Sequence, residues 1–353
     1  MKLLQIPGGT LQKVNRFIKN TITVSISLLL CLLAYFLCRK IVENNFFDKF
    51  IYQKSISYGY RVSLIEKEKY QKFRPLINLL FGQRIKDMTN LESGKNIFTD
   101  KQFNIAIIGD SYVWGLGIKS KQRFAKILEK KLNQLRPTKV ITLGQPGDGF
   151  LDYLYWYDLI NTQKINPDLF IFTLVENDVF VDPRSPHSTL PKYKEIINIC
   201  QQNDSTTNII NLNNIDIYKL NKDGYSRDQI DIVINDLHLK SLKNPINICI
   251  FQKVLTSLSN SQSIFFTTDN YLGNSEGFNL LNRYLISFNK NILSSELGKN
   301  FSKYSSYWDN GNPTNYFKIS SIEGHPNTLA NQMYADILFQ EITTNSKWNF
   351  TKP

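Results

Sequence analysis

The sequence predicts an α/β protein built on a parallel, doubly wound sheet, and three observations predict it. Strand-like apolar runs alternate with helical patterns along residues 103–342. The run Leu169 to Val175 is apolar almost throughout, as strands buried on both faces are. Several runs end abruptly in turn-forming or polar clusters: Gly109-Asp110-Ser111, Gly144 to Gly149, and Glu176-Asn177-Asp178. Ligands of open α/β sheets bind outside the carboxyl ends of the strands. Those clusters are therefore where function is to be sought.

The elements follow in chain order. Residues 1–20 form a basic segment, with Lys2, Lys13, Arg16 and Lys19 and no acid. Thr21 to Cys38 is an uncharged, mostly apolar run of 18 residues, at the threshold for one membrane-spanning helix. A cleaved signal peptide would need a small-residue cleavage site behind it, and CRKIVENN has none. A lipoprotein signal would need a small residue before the cysteine, but leucine precedes both Cys31 and Cys38. A lone uncleaved span is the expectation, with the basic N-terminus on the cytoplasmic side and the rest of the chain extracytoplasmic. Residues 39–100, rich in aromatics and charges, read as a membrane-proximal collar or linker.

The main domain is expected over residues 101–345. Ile105 to Ile108 reads as a buried strand, and Phe124, Ile127, Leu128, Leu132 and Leu135 as one face of the next helix. Ser111 lies between them, where a strand hands over to a helix. Lys139 to Leu143 is a second strand, and FLDYLYWYDLI a helix behind it whose aromatics are expected to pack on the sheet, the alternative being that Tyr153, Tyr155, Trp156 and Tyr157 stack on sugars. Ile264 to Thr268 is a further strand, following the helical stretch Ile246 to Leu258. Between the Leu169–Val175 strand and Ile246 the alternation fails over about 182–244, which is polar and asparagine-rich, so an insertion with some helix is expected there. Asn327 is a helix N-cap, and Ala330, Met333, Tyr334, Ile337 and Leu338 form the apolar face of the last helix. His325 stands in the loop leading into it.

Composition narrows the function. Of the net charge of +12, the first 40 residues carry +6, so half the basicity belongs to the anchor region. No basic run is interleaved with aromatics, which speaks against a nucleic-acid partner. There is no C-x-x-C and no clustered Cys/His spacing, so no metal and no cofactor is expected. Cys200 and Cys249 are read as two small buried apolar residues, the alternative being a disulfide if they meet in the fold.

Gly109-Asp110-Ser111-Tyr112, Gly147, Asn177-Asp178 and Glu323 to Asn327 resemble, in order, the four sequence blocks of the SGNH (GDSL-type) hydrolase superfamily. The resemblance implies a flavodoxin-like three-layer sandwich with about five parallel strands. It also implies a nucleophile at Ser111, a general base at His325, and an oxyanion hole from Ser111, Gly147 and Asn177. The family often has aspartate three residues before the histidine, where this chain has Ile322. Glu323 is the nearest carboxylate able to orient His325, the alternative being a backbone carbonyl. Asp110 and Asp178 read as loop-stabilising acceptors, and Trp114 as lining an acyl pocket or covering the core.

The resulting expectation is a membrane-anchored serine ester hydrolase acting on an acylated small molecule, lipid or glycan. The alternatives are an O-acyltransferase modifying an extracytoplasmic polysaccharide, which would need a separate acyl-donor protein, and a non-enzymatic binding protein on the same fold.

Overall fold

The computed structural model describes residues 21, 23, 25–35, 83–115, 118–145, 147–164, 166–175, 178, 186–202, 245–259, 261–268, 276–309, 314–320 and 323–350. Two compact units divide the chain, Met1–Phe47 and Asp48–Pro353. In the first, residues 25–35 are helical, and Ile26, Leu28, Leu29, Leu30, Leu32 and Leu33 are all exposed. Among the described residues no helix is long and apolar enough to cross a membrane. The predicted span is thus not reproduced at full length: residues 22, 24 and 36–38 of it lie outside the described residues.

The second unit holds the sheet. Its elements run α1 (Gln83–Glu92), β1 (Phe103–Ile108), α2 (Ser111–Trp114), α3 (Phe124–Leu132), β2 (Thr138–Leu143), α4 (Phe150–Asn161) and β3 (Leu169–Leu174). Then come α5 (Pro191–Gln202), α6 (Pro245–Ser257), β4 (Ser263–Thr267), α7 (Glu276–Ser287), β5 (Asn291–Ser294) and α8 (Ser302–Asp309). The C-terminal part is α9 (Thr314–Phe317), β6 (Lys318–Ser320), β7 (Glu323–Pro326) and α10 (Thr328–Thr344). The five main strands are parallel, in the order β2-β1-β3-β4-β5. This is the flavodoxin-like order, whose topological switch lies between β1 and β3.

Every residue of β1, β3 and β4 is buried, because helices cover both faces. On one face, Ile105, Ile107, Ile171, Ile264 and Phe266 join Phe124, Leu128, Met333, Tyr334 and Leu338 of α3 and α10 in a single core. On the other, Phe172 stacks on Phe265 at 5.1 Å, and Tyr157 and Tyr153 of α4 lie over Phe170 and Phe172. The expected apolar face of α10 is buried throughout. Trp114 is buried as well, so it covers the core.

Two expectations need correction. His325 is not in a loop: it lies on β7, which pairs antiparallel with β6 through Lys318↔Pro326 and Ser320↔Glu323. The segment is too short and too polar to show a strand period in the sequence. Cys200 and Cys249 are not separate apolar residues but a disulfide, with Cα atoms 5.7 Å apart, joining α5 to α6. Of the expected insertion, a 3-10 turn at Pro186–Thr189 and α5 are described, and residues 203–244 lie outside the described residues.

Candidate active site

The turns after β1 and β2 are packed backbone to backbone, and the β1 turn packs on the Thr173 side chain of β3. A Cβ on Gly144 would fall 1.7 Å from the Gly109 carbonyl oxygen, and one on Gly109 would fall 1.9 Å from Thr173 Oγ1. Glycine at both positions lets the β2 loop close on the loop that carries Ser111, and that loop close on β3. Ser111 then opens α2, one residue beyond the N-cap Asp110, whose Oδ1 accepts the Tyr112 N–H at 2.9 Å. Gly115 ends the turn in the left-handed region at φ 68°.

Ser111 Oγ lies 2.8 Å from His325 Nε2 and 2.9 Å from Asp110 Oδ2. A serine carries one hydroxyl proton, so Ser111 donates to only one of these partners at a time. Turned to Asp110, it leaves Nε2 to donate; turned to His325, it gives Nε2 the proton of the nucleophile. Ser111 is buried, His325 half-buried, and the Tyr112 ring lies 5.6 Å from the imidazole. Burial raises the Asp110 pKa above the usual carboxylate range, against the Tyr112 N–H, the nearby His325 and the Ser111 hydroxyl, which all favour the carboxylate.

His325 is delivered by a different mechanism, packing of the last helix. Asn327 caps α10 by accepting the Ala330 N–H at 3.0 Å, and its Nδ2 reaches back to the Lys318 carbonyl. The buried Asn331 accepts the Phe124 N–H at 2.9 Å and donates to the Pro326 carbonyl, so it fastens the end of β7 to the start of α3. Sequence reasoning missed Asn331; its signal was a polar residue on the apolar side of an otherwise amphipathic helix.

Of the oxyanion candidates, Gly147 lies in the turn after β2 with φ 83°, a conformation that favours glycine. Asp148 holds that turn, its Oδ2 accepting the Gln145 N–H at 3.1 Å and Trp156 Nε1 at 2.9 Å. Asn177 lies outside the described residues. Its neighbour Asp178 is buried and accepts the Val175 N–H at 2.7 Å. The backbone of Glu323 belongs to β7, two residues from His325; its side chain lies outside the described residues.

The Tyr153 hydroxyl is held well above its ordinary pKa by burial first, then by the charges of Asp178, Asp110 and Asp148. The sequence left Tyr153 as a core aromatic or a sugar-stacking ring; it is fully buried and packs on Phe172.

Neither a protein-family model nor a curated protein matches the sequence. The fold is similar to several solved structures. One is a member of the lipolytic protein G-D-S-L family from Veillonella parvula, 12% identical, covering 68% of this chain and 98% of that one, TM-score 0.37. The acetyl xylan esterase AlAXEase is 15% identical, over 68% and 99% of the two chains, TM-score 0.38. The lipase/acylhydrolase from Enterococcus faecalis is 13% identical, over 68% and 95%, TM-score 0.37. Likeness at this level carries no argument about substrate or mechanism.

Proposed function

We propose that this chain is a serine ester hydrolase of the SGNH (GDSL-type) superfamily, working through an acyl-serine. The observation that carries the reading is the 2.8 Å contact between Ser111 Oγ and His325 Nε2, made across 214 residues of sequence at the switch edge of the sheet. A serine hydroxyl is a weak nucleophile at neutral pH and needs a base beside it. His325 removes its proton as Oγ attacks the ester carbonyl. The tetrahedral oxyanion is met by the N–H groups of Ser111 and Gly147 and the amide of Asn177. His325 then returns the proton to the leaving alcohol, and water repeats the sequence on the acyl-serine. Glu323 stands two residues before His325 on β7; the reading gives it the task of orienting the imidazole.

The same reading makes the chain an extracytoplasmic enzyme, anchored through Thr21 to Cys38, with an acylated small molecule, lipid or glycan as substrate. Its supports are the basic N-terminus, the exposed leucines of residues 25–35, and the Cys200–Cys249 disulfide, a bond that persists in oxidising compartments. A reporter fused after Pro353 and active only in the cytoplasm should stay silent; a signal reverses the topology. For the chemistry, a fluorophosphonate should label wild type and not Ser111→Ala, and p-nitrophenyl acetate should be hydrolysed only by wild type. Labelling that persists in Ser111→Ala removes Ser111 as nucleophile.

A further inference from the structure

A second histidine–carboxylate pair lies behind the β2 loop. His187, in the 3-10 turn that opens the described part of the insertion, places Nδ1 2.7 Å from Asp152 Oδ1, and both side chains are almost fully buried. A carboxylate only accepts, so Nδ1 carries the proton. The other oxygen, Asp152 Oδ2, accepts the Gly149 N–H at 3.0 Å. The His187 ring stacks on Tyr155 at 3.7 Å and meets the edge of Trp156 at 5.6 Å, and Trp156 Nε1 is the donor to Asp148 Oδ2. His187 therefore touches both side chains that hold the turn on the C-terminal side of Gly147: Asp152, which grips Gly149, and Trp156, which grips Asp148.

The geometry points to His187 and Asp152 as positioning residues for the oxyanion turn, through which the insertion sets the aim of the Gly147 N–H. This rests on the reading of Gly147 as an oxyanion donor. The physical reason is the steep cost of aiming error: a donor must stand within hydrogen-bond distance of the oxyanion, and losing one costs about a hundredfold or more in rate. Gly147 itself is exposed and in a left-handed conformation, so its N–H is aimed by the buried residues around it. His187 forms no contact of its own with Ser111 or His325 in this arrangement; it acts through Asp152 and Trp156.

The test uses the full chain, with p-nitrophenyl acetate turnover and the rate of fluorophosphonate labelling, since the phosphoryl oxygen of the probe needs the same donors. His187→Ala should lower kcat by about ten- to a hundredfold with KM within about threefold, and slow labelling in proportion. His187→Asn, which can present an N–H near the place of Nδ1, should recover most of the loss. Tyr193→Phe removes a different contact of the same insertion, the hydroxyl bond to Asp158, and should leave kcat unchanged. Should His187→Ala fail to fold, the nearly isosteric Asp152→Asn carries the test and should slow both readouts. Wild-type rates in Asp152→Asn and the folded His187 variants, with wild type labelled at Ser111, overturn the brace alone. An equal loss in Tyr193→Phe overturns it too, by showing only that the insertion must dock. A wild type neither labelled nor active overturns the catalytic reading, and the brace with it.

Discussion

Asp110 and Asp336 are both buried acids, one at the carboxyl edge of the sheet beside Ser111 and one on α10 facing α3 and α8. Their surroundings push them in opposite directions. At Asp110 the carboxylate holds the Tyr112 backbone N–H and the Ser111 hydroxyl, and burial raises its pKa. At Asp336 burial also opposes ionisation, but hydrogen bonds from Lys131, Lys303 and Tyr304 outweigh it, and its pKa is lowered. The difference teaches where each region spends its acids. On the α3–α10 side a carboxylate is paired with cations and ties three helices. At the sheet edge, Asp110, Asp148 and Asp178 are spent on backbone amides, which fixes loops around a site at some cost in stability.

The comparison can be broken most decisively at the edge. His325→Ala should lower turnover by at least about a thousandfold with the fold intact, because it removes the base and little packing. An active His325→Ala would leave Ser111 without the partner that the geometry gives it. Next in size, Asp178→Ala should cost about 1–3 kcal/mol in urea unfolding, since the buried Val175 N–H loses its acceptor. A loss under about 0.5 kcal/mol would mean that water replaces the carboxylate there. The smallest effects sharpen the contrast through pH. A raised pKa makes the contribution of Asp110 fully present below the ordinary carboxylate value and lost as pH rises through its higher folded value. A lowered pKa makes that of Asp336 present above the ordinary value and lost as pH falls through its lower folded value. Thermal unfolding from about pH 3 to pH 7 should therefore show Asp110→Asn losing ground to wild type in acid and gaining toward neutrality. Asp336→Asn should do the reverse, with a loss near neutrality of about 1 kcal/mol. Slopes of the same sign in both variants would refute the contrast.

Much of this molecule was legible beforehand where local pattern and burial coincide. Leu169 to Leu174 is a strand because both its faces are covered, and an apolar run records that directly. Asn327 caps α10 because a short polar side chain before an apolar helical stripe satisfies orphan N–H groups whatever the rest of the chain does. β5 was not legible: four residues, half-buried at the sheet edge, carry too little pattern. Nor was the strand character of Glu323 to Pro326, whose pairing with Lys318 to Ser320 is set by a partner and not by its own residues.

The sequence by itself determined the strand–helix alternation, the glycine-bearing ends of β1 and β2, and the presence of a serine and a histidine at element boundaries. Those follow from propensity and burial, which act over a few residues. Only the tertiary structure decided that Ser111 meets His325, that Cys200 bonds Cys249, that Asn331 fastens β7 to α3, and that His187 meets Asp152. These meetings join residues from 35 to 214 positions apart, save the five-residue Asn331 to Pro326 step. Such meetings depend on how the helices pack across the sheet, and no short-range pattern records that.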